Sequence, residues 1–368
     1  MKVTFPHCGS AWVPLKTLFD KHGVGCVVPP PTSKRTLTLG VAHSPEWMCL
    51  PYKVLLGNLI EGLELGADTV INVGGPNLCR LGCYARLQEQ TLRSMGFNFE
   101  MVIFDWQEQQ ILGLAKFIRR LLGGDKPWTQ IARDIRHGIF GQLRLMEELE
   151  QRVHWVRPRE SEKGAASKVC RSAGDRVAAA HTPEELKRVR GELFSELDSI
   201  PLDPQAQPPR VKLLGEFFVA IDPFCNMDIE EELGKRGVEV TRAAYLTEWA
   251  KIWLLLQAVG LGHDHKVKKA ASPYLSRDVS GDAMQSVGET ILHRKEGFDG
   301  IIHIMPFTCL PEIIAQNIMP KVTKEHQIPV LTVIVDEQTN KAALITRLEA
   351  FVDLMERRRR HAPLTGQR

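Results

Sequence analysis

The stretch GIIHIMPFTCLPEIIAQNIM, residues 300–319, carries the clearest prediction of the fold. Its first five residues are an apolar run typical of a buried strand, and Leu310–Met319 is predicted to form a helix. The turn between them carries Cys309, and Pro311 follows at a position where the first turn of a helix tolerates proline. A buried strand that leads directly into a helix is the repeating unit of parallel α/β sheets, so the stretch predicts this class.

The same alternation of strand and helix recurs in two long parts of the chain, residues 1–125 and 211–368. In the first part the predicted strands are VTF (3–5), GCVV (25–28), TVINV (69–73) and FEMVIF (99–104), and helices are predicted near 12–22, 50–65, 80–95 and 108–122. In the second part the predicted strands are VKLLGEFFVAI (211–221), VEVTRA (238–243), GIIHI (300–304) and PVLTVIV (329–335), and helices are predicted near 227–235, 247–259, 284–295, 310–319 and 342–359.

Between these two parts lies a polar segment, residues 126–210, with helical stretches and almost no strand signal. It ends in IPLDPQAQPPR (200–210), a proline-rich stretch typical of a linker. We therefore predict two Rossmann-like, doubly wound α/β domains, 1–125 and 211–368, with 126–210 as a helical insert and linker. Two such domains that face each other form a cleft, and the carboxyl ends of parallel strands bind ligands there.

The composition restricts the classes of function. Of the 368 residues, 43% are hydrophobic and 25% are charged, and the net charge is only +3. These values are typical of a soluble globular protein and give no reason to expect a nucleic-acid or membrane partner. Since no secretory signal is visible and no apolar run approaches the ~20 residues that span a bilayer, we expect a cytoplasmic protein. The phosphate-binding motifs of ATP and dinucleotide sites are absent, so the chain itself is not expected to bind either.

Three of the eight cysteines stand at predicted helix starts: Cys49, Cys79 and Cys309. In such a place the unpaired N–H groups and the helix dipole stabilise a thiolate or another anion. Three converging thiolates are suited to a soft, anionic iron–sulfur cluster. Spacing alone leaves open the alternative that each cysteine packs as a small hydrophobic residue, because no C-x-x-C pair is present. Cys83, four residues after Cys79 on the same helix, is either a fourth ligand or a residue outside the ligand set.

Longer stretches of the sequence resemble the 2-hydroxyacyl-CoA dehydratase-like proteins. Within them, the chain is most similar to the acyl-CoA dehydratase activase-related branch, also labelled CoA-substrate-specific enzyme activase-like. The likeness runs over nearly the whole chain and is weakest at 126–205. The stretches that carry it are CLPYK (49–53), GGPNLCRLGCY (74–84), AIDPFCNMDIEEELGKRGVEVTRAAYLTEW (220–249), DGIIHIMPFTCLPEIIAQNIMPKV (299–322) and IPVLTVIVDEQTNKAALITRLEAFVDLMERRR (328–359).

The resemblance implies Rossmann-like domains and a [4Fe–4S]-type cluster in the cleft between them, with Cys49, Cys79 and Cys309 as its ligands. Three protein thiolates leave one iron open to water, sulfide or a substrate atom. The resemblance further implies a low-potential reductase or dehydratase component that receives electrons from a separate ATP-hydrolysing iron–sulfur activator. The substrate is then a small molecule or an acyl-CoA, and related subunits pair, which leaves a homodimer open.

Two features depart from the family pattern, and two other functions stay open. Cys83 stands where another residue type is expected, and DVSGDAMQSVGETI (278–291) replaces a Gly-Gly-His-Gly-like turn. The alternatives to an enzyme are a protein that carries or assembles a cluster without turnover and a substrate-binding regulatory protein. Glu312, one turn into its helix, is either a proton donor or a charge that completes the N-terminal turn.

Overall fold

Two four-stranded parallel sheets organise the residues that the structure, a computed structural model, describes: 1–75, 79–105, 118–122, 127–247 and 265–361. These residues form two compact units. Unit 1 consists of the described parts of Met1–Leu149, Arg171–Ser195 and Tyr245–His263, and unit 2 consists of those of Glu150–Cys170, Glu196–Ala244 and Asp264–Arg368. The predicted α/β class with two parallel sheets is confirmed.

The sheet of unit 1 has the strand order β2-β1-β3-β4, and all neighbouring strands are parallel. Val3 of the first strand pairs with Cys26 on one side and with Thr69 on the other. The strand order therefore switches from one side of β1 to the other, which creates a topological switch point between β1 and β3. The strands are β1 (Lys2–Thr4), β2 (Gly25–Cys26), β3 (Thr69–Gly74) and β4 (Glu100–Asp105), and the helices are α1 (Trp12–Lys21), α2 (Lys34–His43), α3 (Leu50–Glu64) and α4 (Leu81–Ser94).

Helix α3 is buried along almost its whole length and packs against α2 at backbone-to-backbone distance. A Cβ atom at Gly57 of α3 would lie 1.9 Å from the carbonyl oxygen of Thr36. A Cβ atom at Gly40 of α2 would lie 1.7 Å from the carbonyl oxygen of Lys53. The two glycines therefore allow a contact that fixes α3, and with it Cys49, the residue that precedes the helix.

We expect Gly57→Ala to destabilise the protein by about 3 kcal/mol or more, because the added methyl group overlaps a backbone oxygen. Gly191→Ala is the matched control, because Gly191 lies inside a helix, Pro183–Asp198, where no described atom lies within 4 Å of an added Cβ. Alanine there is expected to leave stability unchanged or to raise it by about 0.5–1 kcal/mol. Chemical denaturation measures both changes, and equal stabilities of the two variants would contradict the described packing.

Helices make up most of the described residues between β4 and the second sheet. Residues 150–170 of this region belong to unit 2 and residues 171–195 to unit 1, so the region contributes to both units. The predicted limits of a separate insert, 126–210, stay a prediction. The helices within residues 127–198 are α5 (Trp128–Asp134), α6 (Phe140–Val156), α7 (Ala165–Ala178) and α8 (Pro183–Asp198), and a short π-helix, Ile135–Ile139, joins α5 to α6.

The sheet of unit 2 repeats the topology of unit 1, with the strand order β6-β5-β7-β8 and parallel neighbours throughout. All seven residues of its third strand are buried, as expected for a parallel strand covered on both faces. The strands are β5 (Arg210–Gly215), β6 (Glu239–Arg242), β7 (Gly300–Pro306) and β8 (Val330–Val335), and the described helices are α9 (Phe217–Ile221), α10 (Ile229–Lys235), α11 (His265–Ala271), α12 (Ala283–Lys295), α13 (Leu310–His326) and α14 (Lys341–His361).

The predicted strand 211–221 is wrong in its second half, because the strand ends at Gly215 and α9 begins two residues later. Gly215 has a φ of +130°, and a Cβ atom there would lie 1.8 Å from the carbonyl oxygen of Ile304 on β7. Glu216 then caps α9 by accepting a hydrogen bond from the N–H of Val219 at 2.8 Å. The close approach of β5 to β7 thus ends the strand and places Glu216 at the carboxyl end of the sheet.

Other differences between prediction and structure have local causes. Helix α2 has no predicted counterpart, although it begins with a capping box formed by Ser33 and Thr36, and it packs closely on α3. The predicted strand 25–28 is paired only at Gly25–Cys26. The helices predicted at 108–122 and 247–259 lie largely outside the described residues. Helix α13 continues beyond the predicted end at Met319 and contains Pro320.

Candidate functional site

Cys49 is the N-cap residue of α3, and only 6% of it is exposed. Its Sγ lies 2.6 Å from the hydroxyl oxygen of Tyr84 on α4, which is a hydrogen-bonding distance. Tyr84 is itself buried and packs edge-on against Tyr52 of α3, with the ring centroids 5.2 Å apart. The thiol of Cys49 is therefore held between the first turns of α3 and α4.

Cys79 is partly buried and lies directly before Arg80, the N-cap residue of α4. Nη1 of Arg80 donates a hydrogen bond to the carbonyl oxygen of Trp47 at 2.6 Å, and the guanidinium lies 5.9 Å from the centroid of the Trp47 ring. Because Trp47 stands two residues before Cys49, this contact ties the start of α4 to the start of α3. Unit 1 therefore brings Cys49 and Cys79, two of the three predicted ligands, to adjoining helix starts.

Cys83 lies in the first turn of α4, and its exposed thiol donates to the carbonyl oxygen of Arg80 at 3.0 Å. This bond stays within its own helix start and gives no sign of a role in ligation. A place for Cys83 outside the ligand set stays a prediction. All eight cysteines lie among the described residues, and none of them forms a disulfide.

Cys309 in unit 2 is the N-cap residue of α13, and only 7% of it is exposed. It follows β7 after a short turn in which Thr308 has a φ of +66°. Pro311 occupies the first turn of the helix, as predicted, and the N–H of Ile313 donates to the carbonyl oxygen of Cys309 at 2.9 Å. The predicted strand–turn–helix geometry around Cys309 is confirmed.

The two sheets place Cys79 and Cys309 at equivalent points. Each follows the third strand in the spatial order of its sheet, β3 in unit 1 and β7 in unit 2, and each stands at the helix start that comes next. Ligands of open α/β sheets bind at the carboxyl ends of the strands beside the switch point, which is where these two strands end. Sequence spacing alone does not reveal this equivalence, because it depends on the strand order.

The equivalent topology of the two sheets identifies further residues that the sequence prediction did not select. Cys8 follows β1 in unit 1, and Glu216 follows the equivalent strand, β5, in unit 2. Cys49 precedes α3, and Asp282 precedes the corresponding helix, α12. No signal in the sequence distinguishes Cys8 from the other cysteines outside the predicted ligand set. At these two pairs of equivalent positions, unit 1 has a thiol and unit 2 has a carboxyl group.

Glu312, in the first turn of α13, is fully buried and accepts hydrogen bonds on only one of its oxygens. Its Oε2 lies 2.6 Å from Nε2 of His303 on β7 and 3.0 Å from the hydroxyl of Ser286 on α12. Its Oε1 is buried without a hydrogen-bond partner among the described residues. Glu312 thus lies in the first helix turn among buried partners, and its two predicted roles, proton donor and charge that completes the turn, both stay predictions.

Two further carboxyl groups lie close to Glu312, and we call the three together the carboxyl cluster: Glu216, Asp282 and Glu312. An oxygen of Asp282 accepts from the N–H of Phe217 at 3.1 Å. Burial and, secondarily, the charge of Asp282 raise the pKa of Glu216 to about 8. Burial and the charge of Glu312 raise the pKa of Asp282 to about 7. Asp282 thus lies beside the residue that follows Glu216, and the glycine before it packs on Pro311, the residue that precedes Glu312.

The thiols suit an iron–sulfur cluster in kind, because Cys49 and Cys309 are soft donors at helix N-termini. The structure assembles them only in part. Among the described residues, no three side chains of His, Cys, Asp or Glu lie close enough together to hold a metal ion. The geometry thus gives two thiols at adjoining helix starts in unit 1 and, in unit 2, one thiol at a position equivalent to that of Cys79.

The sequence matches no protein-family model, and no curated protein matches it. Among the described helices, none is both long enough and apolar enough to cross a membrane. We therefore infer a function from the residues of this chain and from their positions in the two sheets.

Proposed function

We propose that the chain is an iron–sulfur protein in which Cys49, Cys79 and Cys309 ligate a [4Fe–4S]-type cluster. The observation that supports it best is the equivalent position of Cys79 and Cys309 at the ends of β3 and β7, each at the start of a helix. Cys49 adds a third thiol at a helix start that adjoins that of Cys79. Helix N-termini stabilise thiolates and donate N–H groups to anionic sulfur, which is what such a cluster requires.

The proposal includes the role that the resemblance to 2-hydroxyacyl-CoA dehydratase-like proteins implies. The protein is then a low-potential reductase or dehydratase component that accepts electrons from an ATP-hydrolysing iron–sulfur activator. Its substrate is a small molecule or an acyl-CoA, and the cluster lies in the cleft predicted between the two α/β domains. When bound, a cluster with three thiolate ligands supplies one open iron site and low-potential electrons.

Anaerobic purification followed by iron and acid-labile sulfide analysis tests the proposal. We expect approximately four irons and four sulfides per chain, and a paramagnetic signal after reduction; fewer than about three irons would exclude a cubane. Electron transfer from a purified activator with ATP and a reductant then distinguishes the enzyme from a cluster carrier. A carrier is expected to pass its cluster to an apo-ferredoxin, whereas an enzyme component is expected to keep it.

A further inference from the structure

The carboxyl cluster of unit 2 is not part of the proposed ligand set of the iron–sulfur cluster. It lies at the carboxyl ends of β5 and β7, where an open α/β sheet binds its ligand. We propose that Glu216, Asp282 and Glu312 form a proton-donating site that serves a ligand gaining negative charge at this edge of the sheet. The proposal rests on the proposed function in one respect, because the ligand is then the carbonyl or acyl compound that is reduced.

Close backbone contacts hold the members of the cluster in place. Glu216 N donates to the carbonyl oxygen of Ile304 at 3.0 Å, a contact that only glycine at the preceding position permits. Asp282 follows Gly281, which has a φ of +59° and leaves no room for a side chain, because a Cβ would lie 2.7 Å from Cγ of Pro311. The turn before α12 is thereby pressed against the first turn of α13, where Glu312 lies.

The count of charges leaves the cluster with too few cations to be fully ionised. The imidazole of His303, itself fully buried, is the ionisable partner of Glu312. No Lys or Arg of the described chain forms an ion pair with any of the three carboxyl groups. Neighbouring carboxylates repel one another, and the single imidazole, which contacts Glu312, does not offset three negative charges. The raised pKa values of Glu216 and Asp282 agree with this count.

The charged groups on the surrounding elements have partners elsewhere. Lys212 of β5 lies 5.9 Å from the ring centroid of Phe298, and Glu289 of α12 pairs with His293 at 2.6 Å. Lys268 of α11 pairs with an aspartate, Asp278, at 3.6 Å. Helix α9 carries no charged residue, and α13 contributes Glu312 to this region. None of these groups supplies a positive charge that would stabilise all three members of the carboxyl cluster in their ionised form.

The unpartnered oxygen of Glu312 is the observation that points to a ligand. A fully buried carboxylate oxygen without a donor costs free energy unless a proton or a donor on a bound molecule meets it. Glu216 and Asp282 are only partly buried, so solvent reaches the edge of the carboxyl cluster. In the transfer step, the O–H bond of one carboxylic acid breaks and its electron pair stays on the carboxylate. The proton bonds to the anionic atom of the ligand, and solvent then restores the proton.

Infrared spectroscopy of the purified protein tests the site directly, through the C=O stretch of a protonated carboxyl group. Between about pH 6 and about pH 9, we expect this band to disappear, with a midpoint near the raised values of about 7 and about 8. The variant Glu216→Gln/Asp282→Asn is expected to lose the titrating band. Its amide oxygens still accept the hydrogen bonds from Val219 and Phe217, so the fold is expected to survive.

Glu232→Gln is the matched control, because Glu232 pairs with Arg236 at 2.9 Å and has a lowered pKa. Its replacement is expected to leave the titrating band unchanged. If the double variant does not fold, the single variant Glu216→Gln is expected to reduce the titrating band. A wild-type protein without a titrating carboxyl band in this range, or a double variant that keeps it, would overturn the proposal.

A thermal measurement gives an independent readout. Because the folded protein holds these protons more tightly than the unfolded chain, stability is expected to fall as pH rises toward about 8. The double variant is expected to lose this part of the pH dependence, whereas Glu232→Gln keeps it. Neither measurement requires iron, so the two proposals can fail separately. A protein that binds no iron would refute the proposed function, and a titrating carboxyl band in that same protein would still support the proton-donating site.

Discussion

Cys309→Ser, purified without oxygen, is expected to lose nearly all of its iron. Serine keeps the shape of the side chain but replaces a soft thiolate with a hard hydroxyl, which binds iron–sulfur clusters poorly. Cys49→Ser and Cys79→Ser are expected to have the same effect. Replacing the partners of a metal ligand already costs roughly 10- to 100-fold in affinity, so loss of a ligand is expected to reduce iron per chain at least roughly tenfold.

Two other cysteines provide controls for this series. Cys225 is buried in the same unit as Cys309, and Cys83 lies in the first turn of α4 beside Cys79. Their serine variants are expected to keep the iron and sulfide content of the wild type. If Cys83→Ser loses iron as fully as Cys309→Ser, the ligand set contains four thiolates. If Cys309→Ser keeps its iron, the proposed ligand set is wrong.

Arg242→Met is expected to destabilise the protein by about 3 kcal/mol, because it leaves two mostly buried carboxylates without the arginine that they share. Arg242 is almost completely buried at the end of β6. Its Nε donates to Glu230 at 2.9 Å and its Nη2 to Glu150 at 2.7 Å. Burial alone would raise the pKa of Glu230, but the charges of Arg242 and His154 outweigh it and lower the value to about 2.

Urea denaturation of Arg242→Met and of the control Lys235→Met measures the effect. Lys235, on the same helix as Glu230, forms an exposed pair with Glu231 at 3.0 Å, and its loss is expected to cost less than about 1 kcal/mol. The pH dependence gives a second check. Because the folded pKa of Glu230 is lowered, its stabilising effect is present at neutral pH and is lost as pH falls from the ordinary glutamate range toward about 2. A cost for Arg242→Met no larger than that for Lys235→Met would contradict this account.

Some elements were predictable because their signals are local. The apolar run of β7 and the proline in the first turn of α13 identified the strand–turn–helix unit around Cys309. By contrast, the close packing of α2 on α3 requires glycine at positions 40 and 57, and the end of β5 lies where Gly215 approaches Ile304. Such contacts join residues far apart in the chain, so local composition does not report them.

The sequence by itself determined the α/β class, the positions of Cys49, Cys79 and Cys309 at helix starts, and the resemblance that suggests a cluster. These features follow from hydrophobic periodicity and from the residues that begin helices, both of which act over a few neighbouring positions. Only the tertiary structure decided that Cys79 and Cys309 follow equivalent strands and that Glu216 and Asp282 lie near Glu312. Strand order and the electrostatics of buried groups arise from packing between distant segments, and so they exist only in the folded chain.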